Sequence, residues 1–153
     1  MINTIPPKTA VLFTIGEIDC RLNEGILRHL ARNSAAVQEN VIESTVVGYL
    51  NFLATTCGDL DATVCGVPAI NIPLELVGQQ DAERLSALIV KFNQVLQKQA
   101  LSRNMGFLDV FALTNRGGGF STGEYHLGRY HLAPSAIATA FSHHLRRPPK
   151  FLQ

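Results

Sequence analysis

No run of apolar residues in this 153-residue chain approaches the roughly 20 needed to cross a bilayer, so no membrane span is expected. The first residues, Met1 to Lys8, lack a charged start followed by a long apolar run and do not read as a signal peptide. Charge is scarce as well: charged residues make up 16% of the chain and the formal net charge is +1. The only basic stretch is a short tail carrying Arg146, Arg147 and Lys150. Binding nucleic acid requires a cationic stripe to neutralise phosphates, so that class of partner is set aside. Cysteine is equally sparse, and Cys20, Cys57 and Cys65 form an odd set without metal-ligand spacing. Buried, reduced thiols are therefore the expectation, and with them a cytoplasmic location. No GxGxxG, P-loop, HExxH or CxxC pattern occurs, so neither a phosphate cradle, a metal site nor a cofactor is expected.

What is present is apolar and patterned. Hydrophobic residues reach 46%, enough for a sizeable core, and the length suits one domain over residues 1–153. After Pro6-Pro7, the run Ala10 to Ile15 ends at Gly16 and predicts a strand covered on both faces. Asn23 to Arg32 suits a short helix, and Val41, Ile42, Val46, Tyr49, Leu50 and Leu53 recur at helical spacing over Gln38 to Thr56. A second strand is expected at Ala62 to Cys65, with an extension toward Ile70. Asp81 suits the N-cap of a long helix with a Leu85, Leu88, Ile89, Phe92, Val95, Leu96 stripe. Phe107 to Leu113 reads as a third strand, Thr114 to Leu132 as a long loop, and Pro134 as the first turn of a last helix reaching about Leu145. Strands alternating with helices imply an α/β fold with parallel pairing. Ligands of such sheets bind beyond the carboxyl ends of the strands.

Two segments fall at those ends. Gly16-Glu17-Ile18-Asp19-Cys20-Arg21 places a tight turn, two carboxylates and a guanidinium together. That set suits either a ligand site or a local ion pair that holds the loop. Tyr125-His126-Leu127-Gly128-Arg129-Tyr130-His131 places two histidines ahead of a helix. Imidazole ordinarily titrates near 6.5, which suits general-base work, although a loop histidine can equally serve as a hydrogen-bonding group.

Together the two segments resemble blocks of the SGNH/GDSL-type hydrolase superfamily. Phe13 to Arg21 is similar to the GEIDCR strand end of a bacterial branch, standing where other members carry GxND. His126 to Pro134 resembles the terminal DxxHLxP block. The resemblance spans about Ala10 to Leu145 and implies a three-layer, flavodoxin-like α/β/α fold whose N-terminal strands are missing here. It also implies hydrolysis of esters, often acetyl esters of carbohydrates, without a cofactor. His131 would be the general base, and Gly16, Glu17, Asp19 and Arg21 would form the oxyanion or substrate-binding rim. His126, Arg129 and Tyr130 would make loop contacts.

Three departures follow from the same matching of motifs. The resemblance implies a triad of a serine nucleophile in a GDS motif after the first strand, the block histidine and an aspartate, yet none of the seven serines, Ser34, Ser44, Ser86, Ser102, Ser121, Ser135 and Ser142, follows a buried strand in a Gly-Asp context. Gly128 stands in the aspartate position of DxxH, with Glu124 or a backbone carbonyl as the substitute partner for His131. Ile18 stands in the asparagine position of GxND. The expectation is thus a hydrolase-like chain that is catalytically incomplete by itself. The alternative is a carbohydrate- or protein-binding module derived from that fold, using Phe120, Tyr125, Arg129 and Tyr130. A missing first strand would leave Ala10 to Ile15 as an open, apolar edge, so a homodimer or a partner chain is expected there.

Overall fold

The structure, a computed structural model, describes residues 5–148. Residues 1–4 and Lys150, which enter the readings of the N-terminus and the basic tail, lie outside the described residues. Three strands, β1 (Ala10–Thr14), β2 (Asp61–Cys65) and β3 (Gly106–Leu108), run parallel in that order. Between them lie α1 (Gly25–Arg32), α2 (Gln38–Thr56), the short α3 (Leu74–Val77) and the long α4 (Gln79–Ser102). After β3 come α5 (Val110–Thr114), a hairpin of β4 (His126–Leu127) and β5 (His131–Leu132), α6 (Pro134–His143) and β6 (Leu145–Arg146). The last strand pairs antiparallel with β3, giving a mostly parallel sheet of order β1-β2-β3-β6. The chain is thus a mixed α/β protein, as the alternation of patterns predicts.

Strand register explains how the sheet serves two cores. Phe13, Val64 and Phe107 are aligned across three strands and point to one face. There they meet Ile42, Val46 and Leu50 of α2 and Leu85, Leu88, Phe92 and Leu96 of α4. The next row, Thr14, Cys65 and Leu108, points to the other face. Cys65 and Leu108 join Leu12, Val110, Leu113, Ala136 and Ala140 in a smaller core under α5 and α6. Helices therefore cover both faces of the sheet.

Several expectations are corrected. The third strand stops at Leu108, because the Asp109 carboxylate accepts the Ala112 N–H at 2.9 Å and caps α5 where extended chain was expected to continue to Leu113. The long helix begins at Gln79, two residues before Asp81, because Gly78 at φ +80° turns the chain directly from α3 into α4. Asp81 sits inside the first turn, pairs with Arg84 at 3.4 Å, and does not cap the helix. The first helix starts at Gly25, later than Asn23, and the last stops at His143 because Leu145 and Arg146 enter the sheet. The second strand does not reach Ile70, which makes only an isolated bridge to Phe120. Nor is β1 fully covered: Ala10 and Thr14 are exposed and Val11 to Phe13 half-buried, because among the described residues β1 has no neighbour other than β2.

Candidate functional site

β1 delivers the chain to Gly16, whose φ of +87° reverses the backbone into a single 3-10 turn, Ile18–Cys20. The Cys20 N–H closes this turn on the Gly16 carbonyl at 3.2 Å. Beside it, β2 runs out into residues 66–69, which are buried and leave the sheet. Buried backbone polar groups need partners, and two side chains supply them here. Asn93 of α4 accepts the Val67 N–H and donates to the Val67 carbonyl, both at 2.8 Å. Thr114 at the end of α5 accepts the Ala69 N–H at 2.9 Å. The third wall is the β4–β5 hairpin, docked by the Asn71 side chain, which donates to the Gly128 carbonyl at 2.6 Å.

These three segments enclose a cleft of about 600 Å³ at the carboxyl end of the parallel strands, within the range of ordinary ligand pockets. Gly16, Glu17 and Asp19 line one side of it, and Tyr130 and His131 the other. The two segments singled out in the sequence are therefore neighbours. Arg21 ties them together: its guanidinium binds Glu17 in a fork at 2.6 and 2.8 Å and Glu24 at 3.0 Å. It also lies over the Tyr130 ring, 4.7 Å from the centroid. Packing a half-buried, salt-bridged arginine against the tyrosine before His131 fixes the hairpin against the Gly16 turn.

The other expected residues fall elsewhere. Arg129 lines a narrow crevice beside the cleft together with Glu17 and Tyr130. His126 points away from the cleft and pairs its Nδ1 with the Ser121 hydroxyl at 3.2 Å. That hydroxyl also accepts the Gly123 N–H at 3.0 Å, so Ser121 and His126 pin the loop from within. The His126 Nε2 is sealed from solvent, with the Ala69 carbonyl near but outside hydrogen-bond geometry. Burial lowers the pKa of this ring below its ordinary value, and the Ala69 carbonyl opposes that shift.

His131 is exposed on the cleft wall and makes no side-chain hydrogen bond to any described residue. Glu124, the candidate substitute for the missing aspartate, instead binds Arg116 at 2.9 Å. Gly128 has φ +80° at the hairpin turn, a conformation that an aspartate would adopt only with strain. No serine lines the cleft among the described residues. Cys65 sits at its floor, but burial pushes the thiol up to about 12, so it stays protonated and a poor nucleophile. Cys20, Cys57 and Cys65 are all free and buried.

One cleft residue escapes sequence reasoning. Tyr49 belongs to the helical stripe that predicts core, yet its hydroxyl reaches the cleft and donates to Asp19 at 2.8 Å. Only the fold brings positions 30 residues apart together, and no local signal marks the pair. Burial first, and the Asp19 carboxylate second, push the Tyr49 phenol from 10.0 up to about 12. A folded-state value above the unfolded one makes its stabilising contribution complete below pH 10 and lost as pH rises toward 12. An absorbance titration of tyrosinate is expected to show one late step near pH 12, absent in Tyr49→Phe. Identical titrations of the wild type and Tyr49→Phe at high pH would show that burial and the Asp19 contact do not hold this phenol.

Among the described residues, no group of three or more histidine, cysteine, aspartate and glutamate side chains is placed to hold a metal ion, and no helix is long and apolar enough to cross a membrane. Comparison of the chain with protein-family models, with curated proteins and with solved structures finds no match in any of the three.

Proposed function

We propose that this chain is a hydrolase-like domain of the SGNH/GDSL type, with a flavodoxin-like α/β/α architecture. Its cleft would receive a small ester, by class an acylated carbohydrate. The observation that carries this reading is the meeting of the Gly16 turn and His131 across one cleft at the carboxyl end of the sheet. The Gly16 turn bounds the side on which an ester carbonyl would lie, and the Tyr49–Asp19 pair offers polar contacts for substrate hydroxyls. Tyr130 offers an aromatic face, held in place by Arg21. His131 would take a proton from an attacking hydroxyl and return it to the leaving alcohol. Three buried thiols support a reducing compartment, the cytoplasm.

The same geometry limits the rate. A serine is an effective nucleophile only within hydrogen-bond reach of its base, and the cleft holds none among the described residues. Hydrolysis by the chain alone would run through water activated by an imidazole without a carboxylate partner. Loss of such triad members costs roughly 10⁴-fold or more in rate. In an acetyl-ester assay, turnover is therefore expected to stay at least about 10⁴-fold below that of a complete serine esterase. The residual rate should fall further in His131→Ala. Turnover that survives this substitution would remove His131 from the reaction. Among the described residues neither a serine nor a carboxylate pairs with His131, which favours a second reading, a binding module that retains the cleft. Saturable binding of acetylated sugar, with a rate equal to buffer in both proteins, would decide for it.

A further inference from the structure

We infer that the open edge of β1 is an interface between two copies of this chain, joined antiparallel into one continuous sheet. The inference rests on the fold and is independent of the ester reading. Among the described residues β1 has a neighbour on one side only. The Thr9 carbonyl accepts the Asp61 N–H at 3.0 Å, so the alternate residues Val11 and Phe13 also face β2. Ala10, Leu12 and Thr14 therefore turn their N–H and C=O groups outward. Exposed edges are ordinarily blunted by lysine, proline or a bulge, and the sequence AVLFT has neither lysine nor proline.

The edge is complementary to itself. An antiparallel pair centred on Leu12 sets Leu12 opposite Leu12, Ala10 opposite Thr14 and Val11 opposite Phe13. Every outward-facing backbone group then meets another outward-facing one, and a β-branched side chain meets an aromatic one. The ends also differ in charge: Lys8 precedes the strand, whereas Asp19 follows it, and Glu17 is already bound by Arg21. Antiparallel pairing brings Lys8 of one copy toward Asp19 of the other; parallel pairing would set like against like.

Helix α2 adds apolar surface on one face beside this edge. α2 is held to α4 by Glu43 with Gln99 and by Asn51 with Arg103. Its opposite flank carries Tyr49 and Phe52, 37% and 62% exposed, and Tyr49 shares the cleft with Thr14 at the end of β1. Phe52 lies about 4.5 Å further along the helix, a distance of one to two strand residues, which brings it level with the middle of β1. In the paired arrangement Phe52 approaches its counterpart near the two-fold axis.

Sedimentation equilibrium of the whole chain at micromolar concentration is expected to give twice the 16.7 kDa of one copy. Ala10→Pro removes an outward N–H and leaves the bonds to β2 intact. Phe52→Lys sets two cations across the axis without touching the strand. Each is expected to raise the dissociation constant at least about tenfold, with an unchanged far-ultraviolet circular dichroism spectrum. Wild-type protein that remains monomeric over the same range overturns the inference, which is the result expected if a different chain fills the edge. A dimer that tolerates both substitutions equally overturns it, because the contact would then lie elsewhere.

Discussion

Replacing Gly16 by alanine is expected to destabilise the protein by roughly 2–6 kcal/mol, a large share of the total for a domain of this size. Two effects add. At φ +87° an L side chain is strained by about 1–3 kcal/mol. The new methyl would also overlap the ring of Phe92, which is fully buried under the sheet, and overpacking of that kind adds about 1–3 kcal/mol. Denaturant unfolding followed by circular dichroism measures the loss. Adding Phe92→Leu to Gly16→Ala should return part of the stability, because the shorter side chain relieves the overlap. This non-additivity distinguishes a local clash from a general weakening. Full additivity of the two substitutions would mean that Gly16 and Phe92 do not touch, and the rim of the cleft would need another support.

The second large effect is expected at Asn93. Its amide satisfies both the N–H and the C=O of Val67 at 2.8 Å in a buried setting. Asn93→Leu preserves bulk but orphans both groups, and each buried unpaired group costs about 1–3 kcal/mol. The expected loss is roughly 2–6 kcal/mol, again read by denaturant unfolding. Because Val67 follows the cleft residues Cys65 and Gly66, the substitution should also loosen the cleft floor. Faster amide hydrogen exchange over residues 65–69, ahead of any change in α2, would be its signature. A neutral substitution would show that water or a rearranged backbone satisfies Val67.

Much of this architecture is legible in the amino-acid sequence, for reasons that differ from element to element. Apolar runs ending in glycine, as at Gly16, carry both the strand and its turn in one local pattern. The stripes of α2 and α4 are long enough that period alone identifies them. Gly16 and His131 fall at one rim because parallel strands share a carboxyl end, which constrains position without any knowledge of contacts. The failures are equally physical. Phe107 to Leu113 is apolar at nearly every position, so its composition suits a strand or a helix, and the capping bond of Asp109 decides between them. β6 has two residues, too few for a period to show. The Asn93–Val67 clamp and the Tyr49–Asp19 bond join distant positions, and a single sequence holds no trace of such pairs. Gly128 shows the converse. Read as a missing aspartate, it proves to occupy a left-handed turn that holds the hairpin against Asn71.

The pairing of the Gly16 turn with His131 in one ester-binding cleft is tested most directly by a titration with a small acetylated sugar, followed by heteronuclear NMR. The account predicts that backbone amides of Gly16 to Asp19 and the ring signals of His131 shift together along one binding curve, while His126 stays still. Shifts confined to other surfaces, or movement of the Gly16 turn without His131, would contradict it.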